Sequence, residues 1–184
     1  MMSRNLCLSG MMGAGKTTVA AALGARLGRR VADTDEELRR WTGRSIPELF
    51  AQHGEDGFRE LERRVIEELA TFHDLVIALG GGVVLRDDNV ASLLLTGVII
   101  HLDAPVEVLV DRLTGDTDRP LLADGELRDR VASTLASRHD RYLEVTDLRV
   151  DAARPIDEVV EDVLSWAMSS GDVLTPSEHE QVMT

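Results

Sequence analysis

The apolar residues of this chain recur in two patterns, and the shorter pattern consists of runs of about four or five positions. Runs of this length, bounded by glycine or polar residues and without strict alternation, are typical of strands buried on both faces of a parallel sheet. We predict five such strands, at Asn5 to Ser9, Arg30 to Asp33, Leu75 to Leu79, Val98 to Leu102 and Asp147 to Asp151.

The second pattern lies between these runs, where apolar residues return every third or fourth position, the spacing of one face of a helix. The clearest examples are Val19, Leu23 and Leu27; Phe58, Leu61, Val65 and Leu69; Val106, Leu109, Val110 and Leu113; Leu127, Val131 and Leu135; and Ile156, Val159, Val160, Val163, Leu164 and Ala167. Strands that alternate with helices predict an α/β domain with a parallel sheet.

The apolar period stops at Ser169, and the remaining residues are mostly polar or acidic. We therefore predict one folded domain over 1–168 and a disordered acidic tail over 169–184. Because such a tail has no apolar face to bury, its removal should leave stability and activity nearly unchanged.

The first predicted strand and helix are joined by Gly10-Met11-Met12-Gly13-Ala14-Gly15-Lys16-Thr17, which fits the pattern G-x-x-x-x-G-K-[ST]. In this phosphate-binding loop, glycines let backbone N–H groups turn toward phosphate oxygens. Lys16 would then reach the β- and γ-phosphates, and the Thr17 hydroxyl would bind Mg²⁺. The alternative is a chance glycine-rich turn, but a strand before the motif and a helix after it favour a phosphate site.

Lys16 is the only lysine in the chain, and every other strongly basic residue is arginine. Surface ion pairs accept either residue, whereas a compact ammonium group beneath a phosphate is not replaced freely by a planar guanidinium. The composition therefore indicates that this position requires lysine.

The overall composition narrows the class of protein. A formal net charge of −13 argues against nucleic acid or an anionic membrane as the main partner. Cys7 is the single cysteine and lies in the first apolar run, so we expect a buried thiol and a reducing, cytoplasmic setting. No apolar run approaches the ~20 residues of a membrane span, and the N-terminus has no signal-peptide pattern.

Charged and glycine residues follow several predicted strands and helices. Asp33 and Asp35 come at the end of the second strand, where one can cap the next helix and the other can face a ligand. Gly80, Gly81 and Gly82 follow the third strand, where bare backbone can approach a substrate, although a simple flexible turn is the alternative.

Two arginines lie in predicted helices. Arg59 can pair with Glu62 three residues later, either as a solvated ion pair or as part of a site. Arg138 falls three residues after Leu135 and so lies on the apolar stripe of its helix. Because an inward charge needs a partner, Arg138 is a candidate anion ligand.

The segment from Thr114 to Asp124 has glycine, aspartate and proline residues but no apolar period. Arg119 lies near its middle. A polar segment of this kind between two helices is typical of a mobile lid over ATP.

Taken together, six segments resemble the shikimate kinase family in order and spacing, over about residues 3–168. They are Gly10 to Thr17, Asp33-Thr34-Asp35, Phe58-Arg59 with Glu62, Gly80-Gly81-Gly82, Arg119-Pro120-Leu121-Leu122, and Arg138 four residues before Tyr142. The resemblance implies a three-layer α/β/α fold like that of nucleoside monophosphate kinases, with a parallel sheet of order 2-3-1-4-5 and a lid. It also implies ATP-dependent phosphorylation of the shikimate 3-hydroxyl, a step toward chorismate and the aromatic amino acids.

The same resemblance implies a role for individual residues. Nucleotide contacts fall on Gly13, Ala14, Gly15, Lys16, Thr17, Thr18, Arg112, Arg119 and Arg154, of which Arg112 and Arg154 would flank adenine. Shikimate contacts fall on Asp35, Arg59, Gly80, Gly81, Gly82 and Arg138, with the two arginines on the carboxylate. Thr17 and Asp33 would hold Mg²⁺, and Lys16, Asp35 and Arg119 would be catalytic. The expected partners are ATP and shikimate, and the expected state is a cytoplasmic monomer.

Two other classes of protein share parts of this pattern. A different small-molecule kinase, such as a gluconate kinase, would share the phosphate loop and the lid but lack the joint site of Asp35, Arg59 and Arg138. A GTPase-like switch would need the guanine-binding pattern N-K-x-D, which a chain with Lys16 as its only lysine cannot contain.

Overall fold

A parallel sheet forms the centre of the structure, a computed structural model that describes residues 3–114 and 124–183, with side chains for all of these except 124–126. The strands are β1 (Asn5–Ser9), β2 (Arg30–Asp33), β3 (Leu75–Ala78), β4 (Gly97–Asp103) and β5 (Leu148–Asp151). Their order across the sheet is β2-β3-β1-β4-β5, and every neighbouring pair is parallel. This order confirms the expectation from the resemblance.

Helices cover both faces of the sheet. They are α1 (Lys16–Leu27), α2 (Thr34–Thr42), α3 (Ile46–Leu69), α4 (Asp87–Thr96), α5 (Val106–Thr114), α6 (Asp124–Glu144), α7 (Ile156–Ser169) and α8 (Pro176–Val182), with a 3₁₀ turn at Val83–Leu85. The core on one face draws mainly on α1, α5 and α7, and the core on the other face on α2, α3 and α4. The fold is therefore the predicted three-layer α/β/α arrangement.

The central strand β1 shows how the sequence builds both cores. Leu6 and Leu8 belong to the cluster beneath α1 and α7, whereas Cys7 belongs to the cluster beneath α3 and α4, since successive side chains of a strand point to opposite faces. All three side chains are fully buried. Burial raises the pKa of the Cys7 thiol to about 12, so this free cysteine stays protonated and packs as a small apolar residue.

The prediction of disorder after Ser169 differs from the structure. Val173 and Leu174 are buried in the core on the α1 side, and α8 follows them. The guanidinium of Arg29 lies 2.7 and 3.1 Å from the two carboxylate oxygens of Glu178 and also donates to the carbonyl of Val173 at 3.0 Å. A short helix with little apolar surface is thus held by one buried ion pair and two apolar side chains.

The lid predicted for Thr114 to Asp124, together with Arg119, lies outside the described residues except at its two ends. Within residues 3–114 and 124–183, no helix has the combination of length and apolar character needed to cross a membrane.

Candidate active site

One cleft of about 710 Å³ opens at the carboxyl ends of β1, β2 and β3. Ligand sites in open α/β sheets occur at this edge because the loops that follow the strands converge there. All the predicted site residues that lie within the described residues line this cleft: Gly13, Ala14, Gly15, Lys16, Thr17, Thr18, Asp33, Asp35, Arg59, Gly80, Gly81, Gly82, Arg112, Arg138 and Arg154.

The loop after β1 has the backbone conformation that its glycines predict. Gly13 and Gly15 have φ of 82° and 89°, a region that L-residues with a side chain rarely adopt. Gly10 has a spatial requirement as well, because a Cβ atom there would lie 2.6 Å from the carbonyl oxygen of Leu102. The loop then enters α1 directly at Lys16, so that the free N–H groups of the first turn face the cleft.

The Lys16 side chain folds back over this loop. Its Nζ atom donates to the carbonyl oxygens of Gly10 at 2.9 Å and Met11 at 3.0 Å. Burial lowers the pKa of Lys16 from its ordinary value of 10.5 to about 8, although the charges of Asp35 and Asp33 oppose this shift. The negative charge of a phosphate group near Nζ would also favour the ammonium form, as the two aspartates do.

Asp33 both caps a helix and faces the cleft, whereas the sequence pattern divided these two roles between Asp33 and Asp35. Its Oδ1 atom accepts hydrogen bonds from the backbone N–H groups of Asp35 and Glu36, which caps α2. Its Oδ2 atom accepts a hydrogen bond of 2.8 Å from the Thr17 hydroxyl. A hydroxyl and a carboxylate oxygen side by side are the hard oxygen ligands that Mg²⁺ prefers, so the residues present fit this ion.

Arg59 and Glu62 form a part of the cleft rather than a solvated surface pair. The Arg59 Nη1 atom lies 2.9 Å from Glu62 Oε2, and the Glu62 side chain is only 2% exposed. Burial raises the pKa of Glu62, although the nearby Arg59 charge opposes the shift. Glu62 therefore holds the Arg59 guanidinium in a fixed position, while its Nη2 atom lies 3.7 Å from the exposed carboxylate of Glu55.

The three glycines after β3 make room for functional side chains. A Cβ atom at Gly80 would lie 2.9 Å from Asp35 Oδ1, and one at Gly82 would lie 2.6 Å from Arg59 Nη2. Neither Gly80 nor Gly82 has a positive φ angle, so the backbone conformation does not require glycine there. What requires it is the lack of room for a side chain. This arrangement brings Asp35 and Arg59, which are far apart in the sequence, against the same short segment.

Arg138 approaches this segment from α6. Its Nη1 atom donates to the Gly81 carbonyl at 3.1 Å, and the Tyr142 hydroxyl donates to the same carbonyl at 2.6 Å. The segment is also fixed at Gly80, whose N–H donates to the Thr34 hydroxyl at 2.8 Å. Arg138 therefore points inward, as its position on the apolar stripe predicts, and one of its partners is the backbone carbonyl of Gly81.

The opposite end of the cleft carries Arg112 and Arg154. Arg112 donates to the carbonyls of Ala152 at 2.8 Å and Gly13 at 3.4 Å, which joins α5 to the loop after β5 and to the phosphate loop. Arg154 forms ion pairs with Glu158 and Asp162 on α7. Both residues line the cleft together with the apolar side chains of Ile156 and Val159, and their contacts with adenine stay a prediction.

The cleft has an apolar wall near Arg59 that was not predicted from the sequence. Phe50 and Phe58 stack with ring centroids 4.0 Å apart, and Ile46 lies beside them. The two rings meet because Gly54, with φ of 66° and ψ of −174°, breaks α3 between them. A signal was present, since two of only three phenylalanines in the chain flank this glycine.

Comparisons with known proteins agree with this geometry. The family model described as "Shikimate kinase" matches residues 12–168. A shikimate kinase from Synechococcus elongatus is 45% identical over 146 residues, which cover 79% of this chain and 76% of that protein. The structure of shikimate kinase from Acinetobacter baumannii in complex with shikimate has 35% identity and a TM-score of 0.84, and the match covers 91% of this chain and 94% of that one.

A second solved structure, shikimate kinase from Bacteroides thetaiotaomicron, has 31% identity and a TM-score of 0.85, with 90% of this chain and 98% of that chain covered. The family model and both solved structures each cover most of this chain. This chain belongs to the shikimate kinase family.

Proposed function

We propose that this protein transfers the γ-phosphoryl group of ATP to the 3-hydroxyl of shikimate, giving shikimate 3-phosphate and ADP for aromatic amino acid biosynthesis. The observation that carries the proposal is the placement of Arg59, Arg138 and Asp35 around Gly80, Gly81 and Gly82. These groups lie in the same cleft as a complete phosphate-binding loop. A gluconate kinase or a GTPase-like switch would need neither arginine at this place.

The two arginines would bind the carboxylate of the substrate. Arg59 is oriented by the buried Glu62, and Arg138 by the Gly81 carbonyl, so both guanidinium groups are held before the substrate arrives. Charge-assisted pairs of this kind, with two N–H groups per carboxylate, fix orientation as well as adding affinity. They would place the ring so that its 3-hydroxyl faces Asp35.

Asp35 would accept a hydrogen bond from that hydroxyl and remove its proton as the oxygen attacks phosphorus. Lys16 would bind the β- and γ-phosphate oxygens and balance the negative charge that moves toward ADP. Arg119, which lies outside the described residues, would add a second positive charge from the lid. The remaining catalysis is positioning of the two reactants, which is the main task in phosphoryl transfer.

Thr17 and Asp33 would hold Mg²⁺, with Asp33 acting through a water molecule. The hydroxyl and the carboxylate oxygen, 2.8 Å apart, support this assignment. When bound, the ion would neutralise charge on the phosphate oxygens. We also propose that the enzyme works as a monomer in the cytoplasm, where the reducing setting agrees with a buried free cysteine.

The test is a coupled assay of ADP release with shikimate, quinate and gluconate side by side. We expect rapid turnover with shikimate and a far lower kcat/KM with the other two acids. Comparable turnover with gluconate would contradict the proposed substrate while leaving the phosphate loop intact. ADP release without any acceptor would contradict the proposal that this is a kinase.

A further inference from the structure

Arg138 shares a hydrogen-bond acceptor with a second residue of its helix, Tyr142, which lies one turn further along α6. Tyr142 is completely buried, and its hydroxyl donates to the Gly81 carbonyl at 2.6 Å. Arg138 donates to the same oxygen at 3.1 Å. A carbonyl oxygen has two lone pairs, so both acceptor positions of Gly81 are filled by α6.

The Tyr142 ring is itself held in place. It stacks on the imidazole of His101 with ring centroids 4.8 Å apart and an angle of 29° between the planes. His101 is buried in β4, and Ser9 Oγ lies 3.3 Å from its Nδ1 atom. Burial lowers the pKa of His101 to about 4, so the imidazole is neutral and packs against the phenol without adding charge.

The consequence concerns the direction in which Arg138 points. A single donor can bind either of the two lone pairs of a carbonyl oxygen, so its direction is variable. When a second donor occupies one lone pair, the first donor is restricted to the other. With the Tyr142 hydroxyl present, one N–H of Arg138 is fixed on Gly81, and the Arg138 side chain lines the cleft. Burial raises the pKa of Tyr142, although a hydrogen bond with Arg138 and the charges of Arg138 and Arg59 oppose the shift, so the hydroxyl stays protonated at neutral pH.

We propose that Tyr142 is a positioning residue for substrate recognition, which acts by sharing the Gly81 carbonyl with Arg138 and so aims the Arg138 guanidinium at the substrate carboxylate. The inference rests on the proposed function in one respect, namely that Arg138 binds this carboxylate. Tyr142 itself touches neither substrate in this scheme. Its effect should therefore appear in shikimate recognition and not in nucleotide recognition.

The direct test is Tyr142→Phe, which keeps the ring and its stacking on His101 and removes only the hydroxyl. We expect KM for shikimate to rise about 3- to 10-fold, the range for loss of one buried hydrogen bond, with kcat and KM for ATP within twofold of wild type. A residue with a merely structural role would lower the melting temperature and leave KM for shikimate unchanged, which would overturn the proposal.

The matched control is Arg141→Met on the same helix. Arg141 donates from α6 to the carbonyl of Val84 at 3.0 Å, so this variant also removes a link between α6 and the segment after β3. It does not touch Gly81 or Arg138. We expect lower stability with an unchanged KM for shikimate, and a rise equal to that of Tyr142→Phe would contradict a specific role for the tyrosine.

A double-mutant cycle separates this inference from the proposed function. Arg138→Ala alone should raise KM for shikimate strongly, and if it does not, the proposed role of Arg138 is wrong. If it does, Tyr142→Phe added to Arg138→Ala should cause no further rise, because the group that the hydroxyl orients is gone. Full additivity would show that Tyr142 acts by another route and would overturn the inference alone.

Tyr142 is also the only tyrosine in the chain, which allows a measurement that does not depend on Tyr142→Phe folding well. Growth with 3-fluorotyrosine gives a protein with a single ¹⁹F resonance at this site. Saturating shikimate should shift that resonance, because the carboxylate changes the hydrogen bonding of Arg138 and hence of the shared carbonyl. A resonance that does not move with saturating shikimate would overturn the proposal.

Discussion

The two halves of the cleft are built in different ways. The phosphate-binding part of the nucleotide half is one continuous segment, Gly10 to Thr17, whose backbone conformation follows from its own glycines. The substrate half is assembled from α2, α3, the segment after β3 and α6, and its arginines are aimed by other groups, Glu62 and the Gly81 carbonyl. A backbone-built site needs few supporting residues, whereas a site built from long side chains needs a partner for each of them.

The largest effect should come from the nucleotide half. In Lys16→Arg, a larger planar guanidinium cannot occupy the place of Nζ between the loop carbonyls and the phosphates. We expect kcat to fall about 10³-fold, comparable to the loss of a preorganised charge in related sites. Steady-state kinetics of ADP release measures this.

The same variant sharpens the comparison between the two halves. Shikimate binding by Lys16→Arg, measured by calorimetry without ATP, should be nearly normal, as should the melting temperature. Near-parental turnover in a folded variant would remove Lys16 from the chemistry. A loss of shikimate binding would show that the halves are not independent.

The next largest effect is expected for Asp35→Asn, at the border between the two halves. The amide keeps the shape of the carboxylate and lacks its basicity, so kcat should fall about 10²-fold while KM for ATP changes little. Rates should be measured at saturating concentrations of both substrates. An unaltered turnover number would restrict Asp35 to a place in the first turn of α2.

A smaller effect is expected for Gly82→Ala, which adds a methyl group where the Arg59 guanidinium lies. Arg59 can move away only by loosening its pairing with Glu62, so we expect KM for shikimate to rise about tenfold, at a cost comparable to one charge-assisted hydrogen bond. KM for ATP should stay the same.

Gly171→Ala is the control for this experiment, because a Cβ atom at Gly171 meets nothing within 4 Å. It should be kinetically silent. If Gly82→Ala were equally silent, the close packing of Arg59 against the glycine would have no role in recognition.

The smallest effect on turnover, with a clear effect on stability, is expected for Glu178→Gln. This variant leaves Arg29 buried without its carboxylate, and breaking a buried pair costs on the order of 3 kcal/mol. Thermal unfolding at pH 7 should show the loss, while kcat at 25 °C stays close to wild type. Glu161→Gln removes the exposed pair with Arg26 and should cost about 0.5 kcal/mol or less.

The pH dependence of this pair has a defined sign. Burial raises the pKa of Glu178, but hydrogen bonds from Arg29 and Thr175 lower it by more, so the pKa lies below its ordinary value of 4.5. A depressed pKa in the folded state stabilises the protein above the unfolded-state value, and this contribution is lost as the pH falls through the folded-state value. The difference in melting temperature between Glu178→Gln and wild type should therefore shrink below about pH 4.5 and persist at pH 7.

The same contrast explains what the sequence could predict. The strand segments, the phosphate loop and the position of Asp33 at a strand end follow from local patterns in runs of a few residues, whereas the strand order was implied only by the resemblance to a family. The apolar wall of Phe50 and Phe58 depends on a helix break at Gly54, and the role of Tyr142 depends on a contact between α6 and a segment about sixty residues earlier. A local sequence pattern predicts neither contact.

The error at the C-terminus has a different origin. The segment after Ser169 has no apolar period that would predict a helix. Instead, α8 is held by an ion pair between Arg29 and Glu178 and by Val173 and Leu174, which precede the helix. One signal was available, since Thr175 and Glu178 form a capping box with proline at the first helical position. Capping residues predict a helix even where the apolar period is too short to detect.

The solitary lysine gives the protein an unusual chemical simplicity. Lys16 Nζ is the only side-chain amine, and burial lowers its pKa to about 8, so a large fraction of it is uncharged and nucleophilic in mildly alkaline buffer. An amine-directed reagent that bears a phosphate, such as an aldehyde phosphate followed by borohydride, would therefore modify the protein at one lysine. The amount of label whose incorporation ATP blocks would equal the number of functional nucleotide sites in a preparation. Labelling of this residue would therefore measure the concentration of active enzyme.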